Sequence, residues 1–448
     1  MPPSTNAAPP DGDQRARPSS SLRRALPDLG ALRFRDYRLI WYGMLGMGTL
    51  MPLQFIAQVL WLQDTASPDV RLLLAGVLGA MRGSVMLLAG IPGGVLSDRL
   101  DRRRLLLVTQ SVAIIANAAI AVLMLIGSSG PLGLTAFFLL TFLAGGALAV
   151  DTPARQSLVP QLVPPERLAN AIALDAVALQ LAFPLSLPLA GVLIDRLGFG
   201  GAYAASLLGH LGVLLAVVRL RHRGRPEQTR RASLVRDVRE GLSFTRRSPV
   251  VLWIILLLFA LMALAWPPVT SLGPVWVTQV LGLNPAQFGL FAAMWGLGAL
   301  LASALLTGAG HFPRKGWLIA GGAVGFSALV VVWGYSRSVP LSGAVNFGLG
   351  MCSSVVMISG RSIVQHLTPN AIQGRVLSLF GLNMGLSQLM TAPVGALAQA
   401  FTLERVVPIA GWLALLIVVA LVIARPEIRK AGQTDPQPDA LTAMREAR

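Results

Sequence analysis

The sequence predicts an all-α membrane protein of about twelve transmembrane helices. Three observations carry this: scarce charge, apolar runs that recur almost without pause, and arginines gathered in alternate breaks between the runs. Of the 448 residues, 54% are hydrophobic and 13% charged, with a mean hydropathy of +0.65. A soluble domain keeps roughly a quarter of its residues charged. A hydrocarbon core about 30 Å thick asks for roughly 20 apolar residues per helical crossing.

The apolar runs lie near 39–60, 72–97, 105–126, 132–151, 170–194 and 198–218, then near 250–271, 285–307, 316–335, 340–361, 376–399 and 406–424. They group as a first six-helix bundle over 39–218 and a second over 250–424. Residues 1–38 and 425–448 are expected as cytoplasmic tails, the first of them disordered because it is rich in Pro and Arg. That stretch has no apolar core of the kind a cleaved signal peptide carries. Between the bundles, 219–249 is crowded with arginines from Arg219 to Arg247. Within it Leu234, Val238 and Leu242 recur at helical spacing, which predicts an amphipathic helix lying on lipid headgroups.

Orientation follows from the basic residues. Under an even number of spans, both tails, the 98–104 turn, the linker and Arg314-Lys315 share one side. The opposite loops hold only Arg71, Arg196, Arg337 and Arg405. Both termini are therefore expected in the cytoplasm. The same distribution accounts for the net charge of +17 without nucleic acid, since no basic and aromatic interleaving is present. One cysteine, Cys352, excludes a disulfide framework, and four scattered histidines give no metal-ligand spacing. No phosphate-cradling G-x-x-x-x-G-K-[ST] occurs, so direct use of ATP is not expected, and neither is a cofactor.

The halves echo each other. Arg155 to Pro164 leads into the fifth span, and Arg361 to Pro369 leads into the eleventh with one residue fewer. Pro188 to Gly191 and Pro393 to Gly395 follow at matching places. A parallel repeat of this kind puts a substrate site near mid-membrane at the repeat interface.

Gly93 to Arg104, between the second and third spans, resembles the major facilitator signature G-x-L-a-D-r-x-G-r-k. Gly94, Leu96, Asp98, Arg99, Arg102 and Arg103 match it, while Asp101 stands where the pattern has a later glycine. Asp151 to Gln156, Leu162-Val163-Pro164, Leu168 to Leu174 and Gly374-Arg375 resemble the branch called transmembrane secretion effectors, which includes enterobactin exporters and macrolide-efflux-like proteins. The resemblance runs from about Phe34 to Arg425. It departs at Asp175 and Pro184, where the branch often has Asn and Arg. The resemblance implies the major facilitator fold and a gate in which Asp98 pairs with Arg375, and Arg102 with Asp151. The plain alternative is a cytoplasmic turn marked by positive-inside arginines.

Three ionisable residues fall inside spans. Arg82 lies near mid-membrane, where an arginine costs about 2.5–3.5 kcal/mol, so it needs a wet cavity, an ion pair or an anionic ligand. Asp175 enters the fifth span and is either a proton-coupling carboxylate or a residue solvated at the boundary. His210 reads as a packed scaffold residue. Gln54, Phe55 and Gln58 share one face of the first span. Under the implied fold they line a cavity with Arg82, Trp266 and Asn346; the alternative is helix packing. Pro267-Pro268 must bend or break the seventh span. Gly79/Gly83, Gly90/Gly94 and Gly381/Gly385 are small-residue pairs suited to close helix contact.

Together these imply a secondary transporter of the bacterial inner membrane, not an enzyme. It would export an amphipathic organic compound such as a siderophore, macrolide or other drug-like molecule, with a proton gradient implied by the resemblance alone. A membrane-embedded sensor or enzyme without transport activity is the competing expectation.

Overall fold

A computed structural model describes residues 29–221, 234–308, 314–369 and 372–431. After a 3-10 turn at Leu29–Arg33 come α1 (Arg35–Thr65), α2 (Arg71–Arg99), α3 (Arg102–Leu125), α4 (Pro131–Leu162) and α5 (Pro165–Arg219). The linker forms α6 (Leu234–Arg247). The second half contains α7 (Pro249–Leu264), α8 (Trp266–Thr270), α9 (Gly273–Gln279), α10 (Pro285–Gly308), α11 (Lys315–Tyr335), α12 (Val339–Leu367), α13 (Gln373–Leu389), α14 (Thr391–Phe401), α15 (Leu403–Ala424) and α16 (Pro426–Lys430).

Nine of the described helices are long and apolar enough to cross a membrane, or ten if α6 and α7 are counted as one bent span. The sequence expectation was about twelve. The difference lies in how the chain breaks. Residues 170–194 and 198–218 run on as α5, with the backbone turning at Gly198 (φ 70°, ψ 177°), a conformation that glycine alone adopts cheaply. The seventh apolar run is cut after Ala265 and again at Ser271-Leu272, next to the helix-breaking Pro267-Pro268. It also extends to Gln279, beyond the expected end at 271. The eleventh is cut at Met390. These pieces are individually too short to qualify.

Two expected boundaries shift. Residues 29–38 are structured: Ala31 is fully buried, and its N–H donates to Asn170 Oδ1 at 2.8 Å. At the other end Gly316 N donates to Ala431 O at 2.9 Å, and α16 packs on α11 with Ile428 buried. The remainder of both predicted tails lies outside the described residues.

Helices α1–α5 pack on one another, as do α10–α15, and the halves meet where α5 meets α10 and α2 meets α13 and α14. The closest described contacts across that seam lie from the middle of the molecule to the end away from the termini. A Cβ placed on Gly76 would sit 2.9 Å from Gly395 Cα, and one on Gly191 would sit 3.0 Å from Ala286 Cα. Only glycine permits backbones to approach so closely. At the same end Gln279 Nε2 donates to Gln63 Oε1 at 3.2 Å. The linker helix α6 turns by 108° into α7. It seats Gly241 against the Arg375 backbone and leaves Arg239, Arg246 and Arg247 exposed.

Candidate functional site

Arg82 sits midway along α2, where α1 supplies its surroundings. Its Nη2 donates to Gln58 Oε1, and its Cζ lies 4.2 Å from the centre of the Phe55 ring. Gln58 in turn donates to Tyr203 Oη at 2.8 Å and more weakly to Thr141 Oγ1 at 3.4 Å. Tyr203 Oη donates in turn to Asn117 Oδ1 at 2.7 Å. The guanidinium thus rests on a neutral chain drawn from α1, α3, α4 and α5. Among the described residues, Arg82 Nη1 and Gln54 Nε2 are buried donors without a hydrogen-bond partner. Gln54 lies one helical turn from Gln58, on the same side of α1. Among the described residues, no carboxylate pairs with Arg82.

A second polar cluster lies nearer the end that carries the termini. Asp151 is buried, accepts from Gln110 Nε2 at 2.8 Å and from Thr109 Oγ1 at 3.3 Å, and places Oδ2 3.1 Å from Arg155 Nη2. His210 Nδ1 lies 3.1 Å from Gln110 Oε1, and its Nε2 has no hydrogen-bond partner. This matches the scaffold reading of His210 and adds that one ring nitrogen is unused. Asp175 accepts from Tyr37 Oη at 2.9 Å, a contact to α1 that the hydroxyl shares with Ala171 O at 2.8 Å.

Of the gate pairs implied by resemblance, the Arg102–Asp151 pair is arranged differently. Arg102 does not reach Asp151: its Nη1 donates to Ser157 O at 3.0 Å and its Nε to Ser97 O at 3.3 Å. Arg155, one turn along the same helix, takes that carboxylate instead. A partner four residues away needs no adjustment between helices, which is the physical reason it wins here. Arg103 donates to Val217 O at 3.1 Å and Val218 O at 2.7 Å, caps for the final turn of α5. Arg375 forms an ion pair with Glu240 of the linker helix. The side chains of Asp98 and Arg99, and the surroundings of Gly94, lie outside the described residues, so the Asp98–Arg375 pair does too. Asp101 has a local explanation: its Oδ1 accepts from Arg104 N at 2.9 Å and caps α3.

In the second half, Trp266 joins Trp295 (5.5 Å between ring centres, edge-on) and Phe326 (5.8 Å, stacked). Asn346 donates to Phe291 O at 2.9 Å and ties α12 to α10, which is the helix-packing alternative. Gly79 and Gly83 face Thr391 and Gly385, whereas Gly381 has open space beside its Cα. Surroundings of Gly90 lie outside the described residues.

Sequence reasoning passed over Gln110, Asn117, Thr141 and Tyr203. A signal existed: Gln110 and Asn117 are seven residues apart in an apolar run, hence on one helical face. Gln388, whose Cβ would meet a side chain placed on Gly83, was missed as well.

A set of broken and unbroken apolar helices around a buried polar site defines a secondary transporter of the major facilitator type that moves small organic molecules. The chain belongs to the transmembrane secretion effector family, whose profile matches residues 28–446. Family membership makes it a transporter and not a catalytic enzyme, in the bacterial inner membrane and crossing it several times. It is 25% identical over 407 residues to the enterobactin exporter EntS of Citrobacter koseri, covering 90% of this chain and 93% of the relative. It is 24% identical over 426 residues to the enterobactin exporter EntS of Salmonella typhimurium, covering 91% and 94%. Among solved structures, a POT family transporter in complex with 5-aminolevulinic acid matches with a TM-score of 0.70 at 15% identity, over 88% of this chain and 96% of that one. A bacterial homolog of the human lysosomal transporter Spinster, inward-facing and unoccupied, matches at 0.63 and 14% identity, over 89% and 97%. At such identities these likenesses concern the fold.

Proposed function

We propose that this protein exports an amphipathic organic compound by alternating access, with inward proton movement as the energy source. The observation that carries the reading is the close seam that the described residues form away from the termini. Glycine-to-backbone contacts hold the halves together there, and Arg82 adjoins Gly83, which meets Gly385 and Gln388 across it. Closure at one end over a mid-depth polar site is the arrangement a rocking transporter needs.

The proposal counts α5 as two spans across Gly198, and takes α7 to α9 and α13 to α14 as one broken span each. Twelve crossings in two six-helix bundles, 39–218 and 250–424, then leave both termini in the cytoplasm. The seal would be periplasmic and the structure inward-facing. The relatives described as enterobactin exporters favour a siderophore-sized compound, with macrolides and other drug-like molecules in the same class. Asp175, held by Tyr37, is the proposed proton carrier, and Asp98, Arg99, Arg102, Arg103, Asp151 and Arg375 the proposed gating set.

Flux tests this. In proteoliposomes with an imposed pH gradient, a candidate siderophore should move against its own gradient, and an uncoupler should stop it. Downhill leakage unaffected by the pH gradient would remove the proton-coupled reading.

A further inference from the structure

We infer that Arg82, with Gln54 and Gln58 of α1, is the binding site for an anionic oxygen group on the transported compound, a carboxylate or a similar planar oxyanion. The inference rests on the transport reading and names the chemistry of its substrate.

A guanidinium does not escape burial by losing its proton. Arg82 stands eleven residues into α2 from Arg71, roughly 16 Å along the axis at 1.5 Å per residue. At that depth a cation needs a counter-charge or a wet cavity. Its described contacts are a neutral amide and a phenyl ring. The groups behind them do not supply the charge: Tyr203 is already engaged with Gln58 and Asn117, and all three are neutral. In the same half, buried Arg155 has the carboxylate of Asp151, and buried Arg102 has the carbonyls of Ser97 and Ser157. Arg82 differs in kind from the Asp151–Arg155 pair.

The unused donors say what would fit. Arg82 Nη1 and Gln54 Nε2 are both buried and unpartnered. Nη2 and Gln58 already bond each other, which holds the guanidinium plane against the Phe55 ring and leaves Nη1 to engage a ligand oxygen. A carboxylate accepts such planar charge-assisted donors well. The site also adjoins the moving seam, because the next residue, Gly83, packs against Gly385 and Gln388 of α13. Ser271, just past the α8 segment that carries Trp266, lies against Gly79, one turn from Arg82. Trp266 of that segment packs on Trp295 of α10 and Phe326 of α11, an aromatic cluster that suits the apolar body of an amphipathic anion. A lipid headgroup shares the oxyanion chemistry, but the mid-helix depth favours a free organic anion.

The test uses full-length protein in phosphatidylcholine nanodiscs, titrated calorimetrically with 1-naphthoate and with neutral 1-naphthamide. Naphthoate should bind at least roughly tenfold more tightly, the scale of a hydrogen bond to a charged group. Arg82→Gln should abolish the preference while changing naphthamide affinity less than about twofold. Arg82→Lys should keep part of it, and Gln54→Leu should weaken naphthoate selectively. No preference in the wild type would overturn the inference. So would an equal loss for both probes with a lowered melting temperature, the mark of a structural role. Loss of the naphthoate preference when half the lipid is phosphatidylglycerol would assign the site to headgroups instead. Arg82-dependent binding of naphthoate without gradient-driven flux would leave the site standing and count against the transport reading alone.

Discussion

Gln399 of α14 is bonded to Leu72 of α2 from across the seam: its Oε1 accepts the Leu72 N–H at 3.0 Å, while its Nε2 donates to Pro68 O at 2.9 Å. Both ends of one amide thus clasp the start of α2. Each bond contributes about 0.5–1.5 kcal/mol net. Gln399→Leu should therefore shift the protein several-fold toward the form open at this end. In a Cys352→Ser background, maleimide labelling of Gln63→Cys should speed up by a similar factor. An unchanged labelling rate would show that the clasp does not hold the closed state.

Gly395 offers a harsher perturbation. A Cβ there would lie 2.7 Å from Leu72 O and 2.8 Å from Gly76 Cα, and neither backbone atom can swing aside. Gly395→Val should leave the protein folded and inserted but unable to close this end, so flux should fall close to background. Wild-type flux in the variant would show that close approach here is not part of turnover.

The Asp151–Arg155 pair predicts an asymmetry in stability. Removing one partner of a buried pair costs about 3–5 kcal/mol, because the other charge stays behind without compensation. Arg155→Met alone should lower the melting temperature markedly, and Asp151→Leu combined with Arg155→Met should recover much of the loss. Arg102→Gln should do less harm than Arg155→Met, since Arg102 bonds carbonyls and not Asp151. If Arg102→Gln proves the more damaging, the sequence-implied pairing is the better guide.

Asp175→Asn should abolish flux driven by a pH gradient while sparing substrate exchange, if Asp175 carries the proton. Tyr37→Phe removes the hydroxyl that donates to it and should shift the pH dependence of driven flux without stopping it. Normal driven flux in Asp175→Asn would return the residue to an anchoring role between α1 and α5.

Topology is tested by single cysteines in the Cys352→Ser background. An impermeant maleimide applied to intact cells should label Ser338→Cys and spare Gly224→Cys. The reverse pattern would invert the assigned orientation, and with it the side that is sealed.

Glu240 and Arg375 connect the linker helix to α13, a contact no local pattern announces. It marks the division between what was legible in the sequence and what was not. Apolar runs, the arginine asymmetry and Pro267-Pro268 act through solvation and backbone sterics, which depend on local composition. They therefore disclosed the membrane class and the break in the seventh run. The resemblance around Gly93 to Arg104 and Asp151 to Gln156 disclosed the family. Arg82 was visible because a lone cation in an apolar run is costly wherever the chain folds. Its companions were only partly visible. Gln58 and Phe55 shared a face of the first span, but Tyr203 and Asn117 come from helices 86 residues apart. The partner of Asp151 was in reach of the sequence: Arg155 lies four residues along the same helix and places its guanidinium 3.1 Å from the carboxylate. Which glycines meet across the seam also waited on the tertiary structure, because long-range contacts depend on the relative placement of helices that no local period encodes.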